Sequence, residues 1–572
     1  MLKLAKRMNK GLVVLSVLFM IVRTVGELYL PTLTADIIDK GIANGDIPYI
    51  VRVGGLMLLV SFISVIGAII NVYIAAKVSQ GMGKDIRNDL YRKVSYFSND
   101  ELDEVGTASL MTRTTNDVVQ VQRIFMLVLR MVIMSPIMII GAGYLAYTRE
   151  PRMAAVFLGT VPLLAVLIGI IIYFASPVFR KLQSKTDRLN LIFREGLTGV
   201  RVIRAFRKGT HEVKRFDKAN KSFAETAIKG QTIMAFLQPT MTLAFSLTNI
   251  FIIWIGARLI SMDVMGAGNL VTFLTYAGQI LTSVMMLSMV VIYLPRAQVS
   301  AGRINQVLGM ENAVKDPSDS RKVAENQPVS LDFEQVDFRY VGAEKLALEN
   351  IDFHADPGET IGIIGGTGVG KTTLANLIPR FHDVESGSIK VNGVDVRNMK
   401  QKKLRSHIGY APQKAVLFTG TVRDNLLYGN TDASDDEIWH ALDVAQAKEF
   451  IEAMPKQLDA YVEQGGGNFS GGQRQRLSIA RALITNADIL IFDDSFSALD
   501  FKTDAILREA LEKETQEAVV VIIAQRVSTV IDADTILILD HGEIVGKGTH
   551  EELKASNPTY QEIIESQMKE GG

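Results

Sequence analysis

Residues 359–381 read ETIGIIGGTGVGKTTLANLIPRF. An apolar run ends in G-x-x-x-x-G-K-T, Gly365 to Thr372, and an apolar-periodic stretch of helical spacing follows. Strand, glycine loop and helix in that order are the context a P-loop requires. The backbone N–H groups of Gly365, Gly366, Thr367, Gly368, Val369 and Gly370 would cradle phosphate at a helix start. Lys371 would reach the outer phosphates, and the hydroxyl of Thr372, with Thr373 beside it, would meet Mg²⁺. This stretch sets the expectation for residues 329–572: an α/β P-loop domain that binds a nucleotide.

Other pieces of the same half fit around it. SLDFEQVDFRY (330–340) alternates as a strand and ends on an aromatic residue, Tyr340. YAPQKAVLF (410–418) places Gln413 just past a strand. NFSGGQRQRLSIARAL (468–483) is a glycine-rich turn opening a basic amphipathic helix, a second anion-binding helix start. ILIFDDSFSALD (489–500) carries two adjacent carboxylates, Asp493 and Asp494, to a strand tip. There Asp493 can hold Mg²⁺ through water. VVIIAQRVST (520–529) is a further apolar run, turning at Gln525.

The first 300 residues are of another kind. A spanning helix needs about 20 mostly apolar residues to cross ~30 Å of hydrocarbon. Six stretches qualify, near 11–33, 52–76, 124–147, 153–177, 235–258 and 270–294. The expected domain plan is a membrane domain over 1–310, a polar linker over 311–328 and the nucleotide domain over 329–572. Lys and Arg concentrate before the first span and in 77–123 and 178–230. That asymmetry orients both termini, the two long loops and the nucleotide domain toward the cytoplasm. Arg149 and Arg152 dissent, since they fall in a short outer connection. The loops keep helical periodicity in GKDIRNDLYRKVSYF (83–97) and SKTDRLNLIFREGLTGVRVIRAF (184–206), so the membrane helices are expected to extend into the cytoplasm. Arg23 and Glu27 lie four apart within the first span. Charges at that depth face a partner or a polar cavity; mutual neutralisation and a substrate contact both remain open.

Composition removes several classes of function. The chain has 572 residues, and Lys+Arg balance Asp+Glu at 61 each, so net charge favours neither nucleic acid nor an acidic partner. Cysteine is absent, which excludes disulfides, thiolate chemistry and cysteine-ligated zinc. The seven histidines show no metal-ligand spacing.

Taken together, these motifs resemble the ATP-binding cassette (ABC) exporters over essentially the whole chain. The resemblance is to a half-transporter: an all-α six-helix transmembrane domain fused to one α/β nucleotide-binding domain. It implies that Tyr340 stacks on adenine, that Gly365–Thr373 is the Walker A loop, and that Gln413 is the Q-loop glutamine, which also approaches Mg²⁺. It implies that Ser470, Gly471, Gly472 and Gln473 are the signature, acting on ATP bound by the opposite subunit. Asp493 is then the Walker B carboxylate, Ser497–Asp500 the D-loop, and Gln525 the switch position. ATP and Mg²⁺ are the implied cofactors. Short helices near 97–105 and 196–206 are implied to pass domain closure to the membrane helices.

Two positions depart from the family. The residue after the Walker B aspartate is normally glutamate, and the switch residue is normally histidine; this chain has Asp494 and Gln525. Aspartate is shorter by one C–C bond, about 1.5 Å, and a 1 Å misplacement can cost ~10²-fold in rate. Glutamine orients water but carries no charge near neutral pH, as histidine can. The expected site therefore binds ATP and hydrolyses it poorly. The signature FSGGQ has Phe469 for the usual leucine, and YVEQGGGN (461–468) departs from V-G-E-x-G.

The asymmetry resembles heterodimeric bacterial multidrug exporters. A second half-transporter would supply the Walker B glutamate and the switch histidine, and the pair would expel drugs or lipids across the cytoplasmic membrane. A homodimeric exporter with two slow sites and a nucleotide-gated regulatory subunit are the competing readings.

Overall fold

The computed structural model describes residues 1–320 and 328–570, so 321–327 of the expected linker lie outside the described residues. The chain divides into two compact units, one of Met1–Ser95 with Ala108–Gly309, the other of Tyr96–Thr107 with Met310–Gly572.

The first unit is helical. Six helices in the described residues are long and apolar enough to cross a membrane, and each contains one of the six expected stretches: Lys10–Ile42, Ile47–Val94, Thr107–Arg149, Pro151–Thr198, Gly209–Ile260 and Ala267–Gly309. We label α1 as Lys10–Asp36, which continues through a π-helical turn at Ile37–Ile42, and α2 as Ile47–Val94. Local chemistry sets the starts. Asn9 caps α1 by accepting from the Leu12 N–H at 3.2 Å. Asp46 caps α2 by accepting from the Tyr49 N–H at 3.0 Å, with Pro48 in the first turn, where its missing N–H costs nothing. The apolar side chains face outward to a degree no water-soluble helix would tolerate: Leu58 is 75% exposed and Leu158 80%. A bilayer is the solvent such faces need.

In the short connection between the third and fourth long helices, Arg149 has an acidic partner. Arg149 pairs with Asp36 at 3.4 Å, and Lys40 reaches the same carboxylate at 3.2 Å. Two cations thus share one carboxylate.

The second unit contains a short helix, α3 (Asn99–Val105), together with the soluble half. Glu101 fixes α3 twice. One carboxylate oxygen accepts from the Ser98 N–H and hydroxyl at 2.7 and 2.6 Å, and the other accepts from the Ala313 N–H at 2.6 Å. Burial opposes its charge, but these donors outweigh burial and hold Glu101 below the usual carboxylate range.

Ten strands are used below: β1 (Leu331–Phe338), β2 (Leu348–Ala355), β3 (Thr360–Ile364), β4 (Ser386–Val391), β5 (Val394–Asp395), β6 (Ile408–Ala411), β7 (Ile489–Asp493), β8 (Val519–Ile523), β9 (Thr535–Asp540) and β10 (Glu543–Gly548). A four-stranded antiparallel sheet runs β2-β1-β4-β5, and a six-stranded sheet runs β10-β9-β3-β8-β7-β6. Within the larger sheet β9, β3, β8, β7 and β6 are parallel. Alternation explains why the central strands read as unbroken apolar runs. Leu490, Phe492, Val520 and Ile522 enter one core, while Ile489, Ile491, Val519 and Val521 enter the other. Both faces are covered, as parallel sheets require.

Candidate functional site

The parallel strands deliver the site at their carboxyl ends. Ile523 at the end of β8 stands in register with Asp493 on one side and Ile363 on the other. In open α/β sheets this edge is where ligands bind.

After β3 the chain turns through Gly365–Gly370 into helix α4 (Lys371–Leu377). Two glycines are dictated by geometry. A Cβ on Gly365 would sit 2.1 Å from the Leu539 carbonyl oxygen. Gly370 has φ +108°, and a Cβ there would lie 2.9 Å from the Ala347 carbonyl oxygen. Lys371 Nζ donates to the carbonyls of Gly365 and Gly366 at 2.7 and 2.6 Å. Burial pulls its pKa down, and the Asp494 and Asp493 carboxylates oppose that pull.

One cavity of about 450 Å³ is lined by Tyr340, Thr367–Thr373, Gln413, Asp493, Asp494 and Gln525. Residues far apart in sequence therefore meet at one place. Gly365 and Gly366 lie at the base of its loop. Ser470, Gly471, Gly472 and Gln473 are not among the lining residues. They open helix α5 (Gly471–Leu483), where Ser470 Oγ accepts from the Gln473 N–H at 3.2 Å and Gln473 Oε1 accepts from the Ser470 N–H at 2.9 Å.

The two aspartates have separate environments. Asp493 is 1% exposed. Its Oδ1 accepts from the Thr372 hydroxyl at 3.0 Å, and its Oδ2 accepts from the Tyr410 hydroxyl at 3.4 Å. Burial raises its pKa, with the neighbouring Asp494 charge adding to the rise and the Thr372 bond offsetting part of it. A buried carboxylate touching a hydroxyl is the start of an oxygen ligand set for a hard divalent cation. No cluster of three or more His, Cys, Asp or Glu occurs among the described residues, so most of such a cation's shell would come from water and phosphate.

Asp494 takes a left-handed backbone, φ +48°, and its N–H donates to the Ile523 carbonyl at 2.9 Å. Its Oδ2 accepts from both Gln413 Nε2 at 3.0 Å and Gln525 Nε2 at 2.9 Å. Two neutral amides thus share one carboxylate oxygen.

Tyr340 packs edge-on against Phe338 and His382, and its hydroxyl lies 2.9 Å from Thr373 Oγ1. His382, 3% exposed, puts Nδ1 2.9 Å from Asp100 Oδ1 on α3. The expected transmission segment near 97–105 is therefore docked within the nucleotide unit. The segment Val200–Ala205 buries none of its residues, and Val202 and Phe206 beside it are 60% and 71% exposed.

The two remaining departures also have local accounts. Phe469 is buried and meets Phe450 edge-on at 6.3 Å, so leucine's replacement is a packing matter. In YVEQGGGN, Gly465 and Gly466 take φ +67° and +69°, and Asn468 ties the loop by accepting from Glu463 N–H and donating to the Tyr461 carbonyl.

Sequence reasoning missed Lys345, His541 and Gly542 on the cavity wall, and Tyr410 behind Asp493. Tyr410 stands three residues before Gln413, at the end of β6, and burial pushes its phenol well above the ordinary range. Its place at a strand end was the available signal; the other three arrive from two loops, Lys345 from one and the adjacent His541 and Gly542 from another, and left none.

A parallel sheet presenting a glycine loop, a buried lysine and paired carboxylates defines a P-loop nucleotide hydrolase, here following a membrane domain. The family pattern for an ABC transporter transmembrane region matches residues 13–284, and that for an ABC transporter matches 348–497. An uncharacterized ABC transporter ATP-binding protein of Mycobacterium tuberculosis is 39% identical, over 98% of this chain and 97% of that protein. An ATP-dependent lipid A-core flippase of Pseudomonas aeruginosa is 32% identical over 91% and 85%. A multidrug resistance ABC transporter ATP-binding and permease protein of Lactococcus lactis is 28% identical over 98% and 93%. A solved bacterial Atm1-family ABC exporter with ATP bound shares the fold, with TM-score 0.82 and 23% identity over 98% and 99% of the two chains. The chain belongs to the ABC transporter family, as a half-transporter of exporter architecture. It is a multi-pass membrane protein whose nucleotide-binding domain is cytoplasmic.

Proposed function

We propose that the chain is one subunit of a heterodimeric exporter that drives drugs or lipids outward across the cytoplasmic membrane, and that its own ATP site turns over slowly. The observation that carries this reading is the Gln413–Asp494–Gln525 arrangement. A general base must reach its water at about 2.6–3.2 Å. Here the candidate base is a short aspartate, with one oxygen already shared by two amides. No histidine stands at the switch position to carry charge toward the γ-phosphate.

In this reading both termini are cytoplasmic, residues 1–310 form the membrane domain, 311–328 the linker and 329–572 the nucleotide domain. Tyr340 stacks on adenine. The Gly365–Gly370 N–H groups and Lys371 hold the phosphates, Lys371 first leaving the loop carbonyls. Thr372 and Asp493 would hold Mg²⁺, and Gln413 could offer its side-chain oxygen Oε1 to the same ion while its Nε2 faces Asp494. The partner's ATP is completed by Ser470, Gly471, Gly472 and Gln473. The lipid and drug classes are supported by the names of the flippase and multidrug relatives.

The decisive experiment is copurification from native membranes, followed by ATPase measurement of the lone chain and of the complex. The expected result is a second half-transporter with glutamate and histidine at the two positions, and turnover at least about tenfold above the lone chain. A self-associated chain hydrolysing ATP as fast as the native preparation overturns the proposal.

A further inference from the structure

Helix α1 has two accessible faces of opposite character. Val14, Leu18, Ile21, Val25 and Tyr29 are exposed and, at 3.6 residues per turn, fall on one stripe. Arg23 and Glu27 fall on the roughly opposite side, with the buried Ser16 and Met20. They are bound to each other, Arg23 Nε to Glu27 Oε1 at 2.7 Å, yet their side chains remain 27% and 31% accessible. The apolar stripe suits lipid. A charged pair is costly in lipid, which favours a polar or protein-facing environment on that side of the helix.

The depth is set by the outer ion pair of Asp36 and Arg149. Arg23 precedes Asp36 by thirteen residues, about 20 Å of helix, and Glu27 by nine, about 14 Å. The pair thus sits near the middle of a ~30 Å hydrocarbon layer.

The backbone at this point is fixed for a reason visible in the sequence. Pro31 has no N–H, so the Glu27 carbonyl loses its i+4 donor within the helix. Gln279, on the last long helix (Ala267–Gly309), supplies the missing bond, its Nε2 donating to the Glu27 carbonyl at 3.0 Å. Gln279 is a positioning residue that clamps Glu27 in place. The ion pair itself leaves the terminal guanidinium nitrogens of Arg23 and Oε2 of Glu27 without a partner among the described residues.

We propose that Arg23 and Glu27 form a headgroup site for a zwitterionic amphiphile, one whose polar end carries an anionic oxygen group beside an ammonium donor. The anionic oxygens take the free guanidinium nitrogens, and the ammonium takes Glu27 Oε2. The choice of a zwitterion follows from charge balance. The pair is net neutral, and a singly charged ligand would leave a net charge in a low-dielectric layer. A zwitterion adds none, and its two ends match the two ends of the pair. This assignment rests on the exporter reading above and names the substrate class of that exporter.

The test uses the assembled transporter in phosphatidylglycerol nanodiscs, where no zwitterionic lipid competes. Binding is measured for lysophosphatidylethanolamine, the neutral monolaurin, dodecyltrimethylammonium and the soluble head phosphoethanolamine. Lysophosphatidylethanolamine is expected to bind tightest. R23Q and E27Q should each weaken it by roughly 10–100-fold, the range for losing a hydrogen bond to a charged group. R23M/E27M removes the pair without leaving a lone buried charge, and its thermal unfolding reports folding. It should weaken lysophosphatidylethanolamine to the same extent while monolaurin changes less than about threefold. Unchanged lysophosphatidylethanolamine affinity in R23M/E27M, or parallel loss of every amphiphile, assigns the pair to packing and overturns the site. Phosphoethanolamine binding as tightly as the lysolipid overturns the amphiphile. If no amphiphile binds the unaltered transporter or alters its ATPase, the exporter reading itself fails, and the site with it.

Discussion

Gln525 donates its side-chain amide to Asp494 at 2.9 Å, on the same oxygen that Gln413 reaches at 3.0 Å. The two sensor positions of the nucleotide site are thereby tied to each other through the one residue expected to activate water. An acid one carbon longer and a titratable imidazole would alter both the reach and the charge of this arrangement.

On the proposed reading of a slow site, supplying those groups should raise hydrolysis. In the chain purified alone, D494E/Q525H is expected to raise ATPase turnover about 10²-fold, the scale associated with a 1 Å correction in position. Steady-state phosphate release checks it, and an unaltered rate in a variant that still binds ATP would refute the account of why the site is slow.

In the assembled transporter the order of effects reverses. If the partner's site sets the rate, as proposed, D494E should change turnover less than about threefold. Removing the Ser470 donor with S470A should lower it by about 10²–10³, typical of losing a preorganised donor to developing charge. If D494A abolishes turnover while S470A is mild, the two sites have been assigned the wrong way round.

The His382–Asp100 contact at 2.9 Å joins α3 to the residues around Tyr340. H382A and D100N should each leave ATP affinity within about threefold and abolish stimulation of ATPase by transported compounds. Replacing the exposed Val202 and Phe206 with serine should also uncouple transport while ATP binding persists. Vesicle transport and nucleotide binding, measured on the same preparations, separate uncoupling from misfolding.

Glu101 gives α3 a pH dependence. Its carboxyl is held below the usual range in the folded chain. A depressed carboxylate stabilises the fold above its unfolded value, near 4.3, and that contribution disappears as pH falls through the lower folded value. Hydrogen exchange in 99–105 should therefore accelerate only below about pH 4. E101Q should accelerate it at neutral pH, by the ~1 kcal/mol typical of a lost cap. Identical exchange in the variant at pH 7 would show that α3 is held by other contacts.

The sequence alone determined the six spans, because apolar runs of that length answer to the thickness of a bilayer and not to tertiary detail. It determined the P-loop as well, since Gly365–Thr372 between a strand and a helix is a local pattern with a local geometry. It also located the two departures, Asp494 and Gln525, because each stands at a fixed offset from a recognisable strand. Only the tertiary structure decided that both Gln413 and Gln525 bind the same oxygen of Asp494, since those residues come from three different strand ends. Only it showed Tyr410 behind Asp493, Asp36 pairing with Arg149, and His382 receiving Asp100. It also gave Gln279 its role: Pro31 announces an unpaired carbonyl four residues earlier, but the donor lies 252 residues downstream of Glu27. Local patterns are written in neighbouring residues, whereas these contacts depend on how strands and helices distant in the chain are brought side by side.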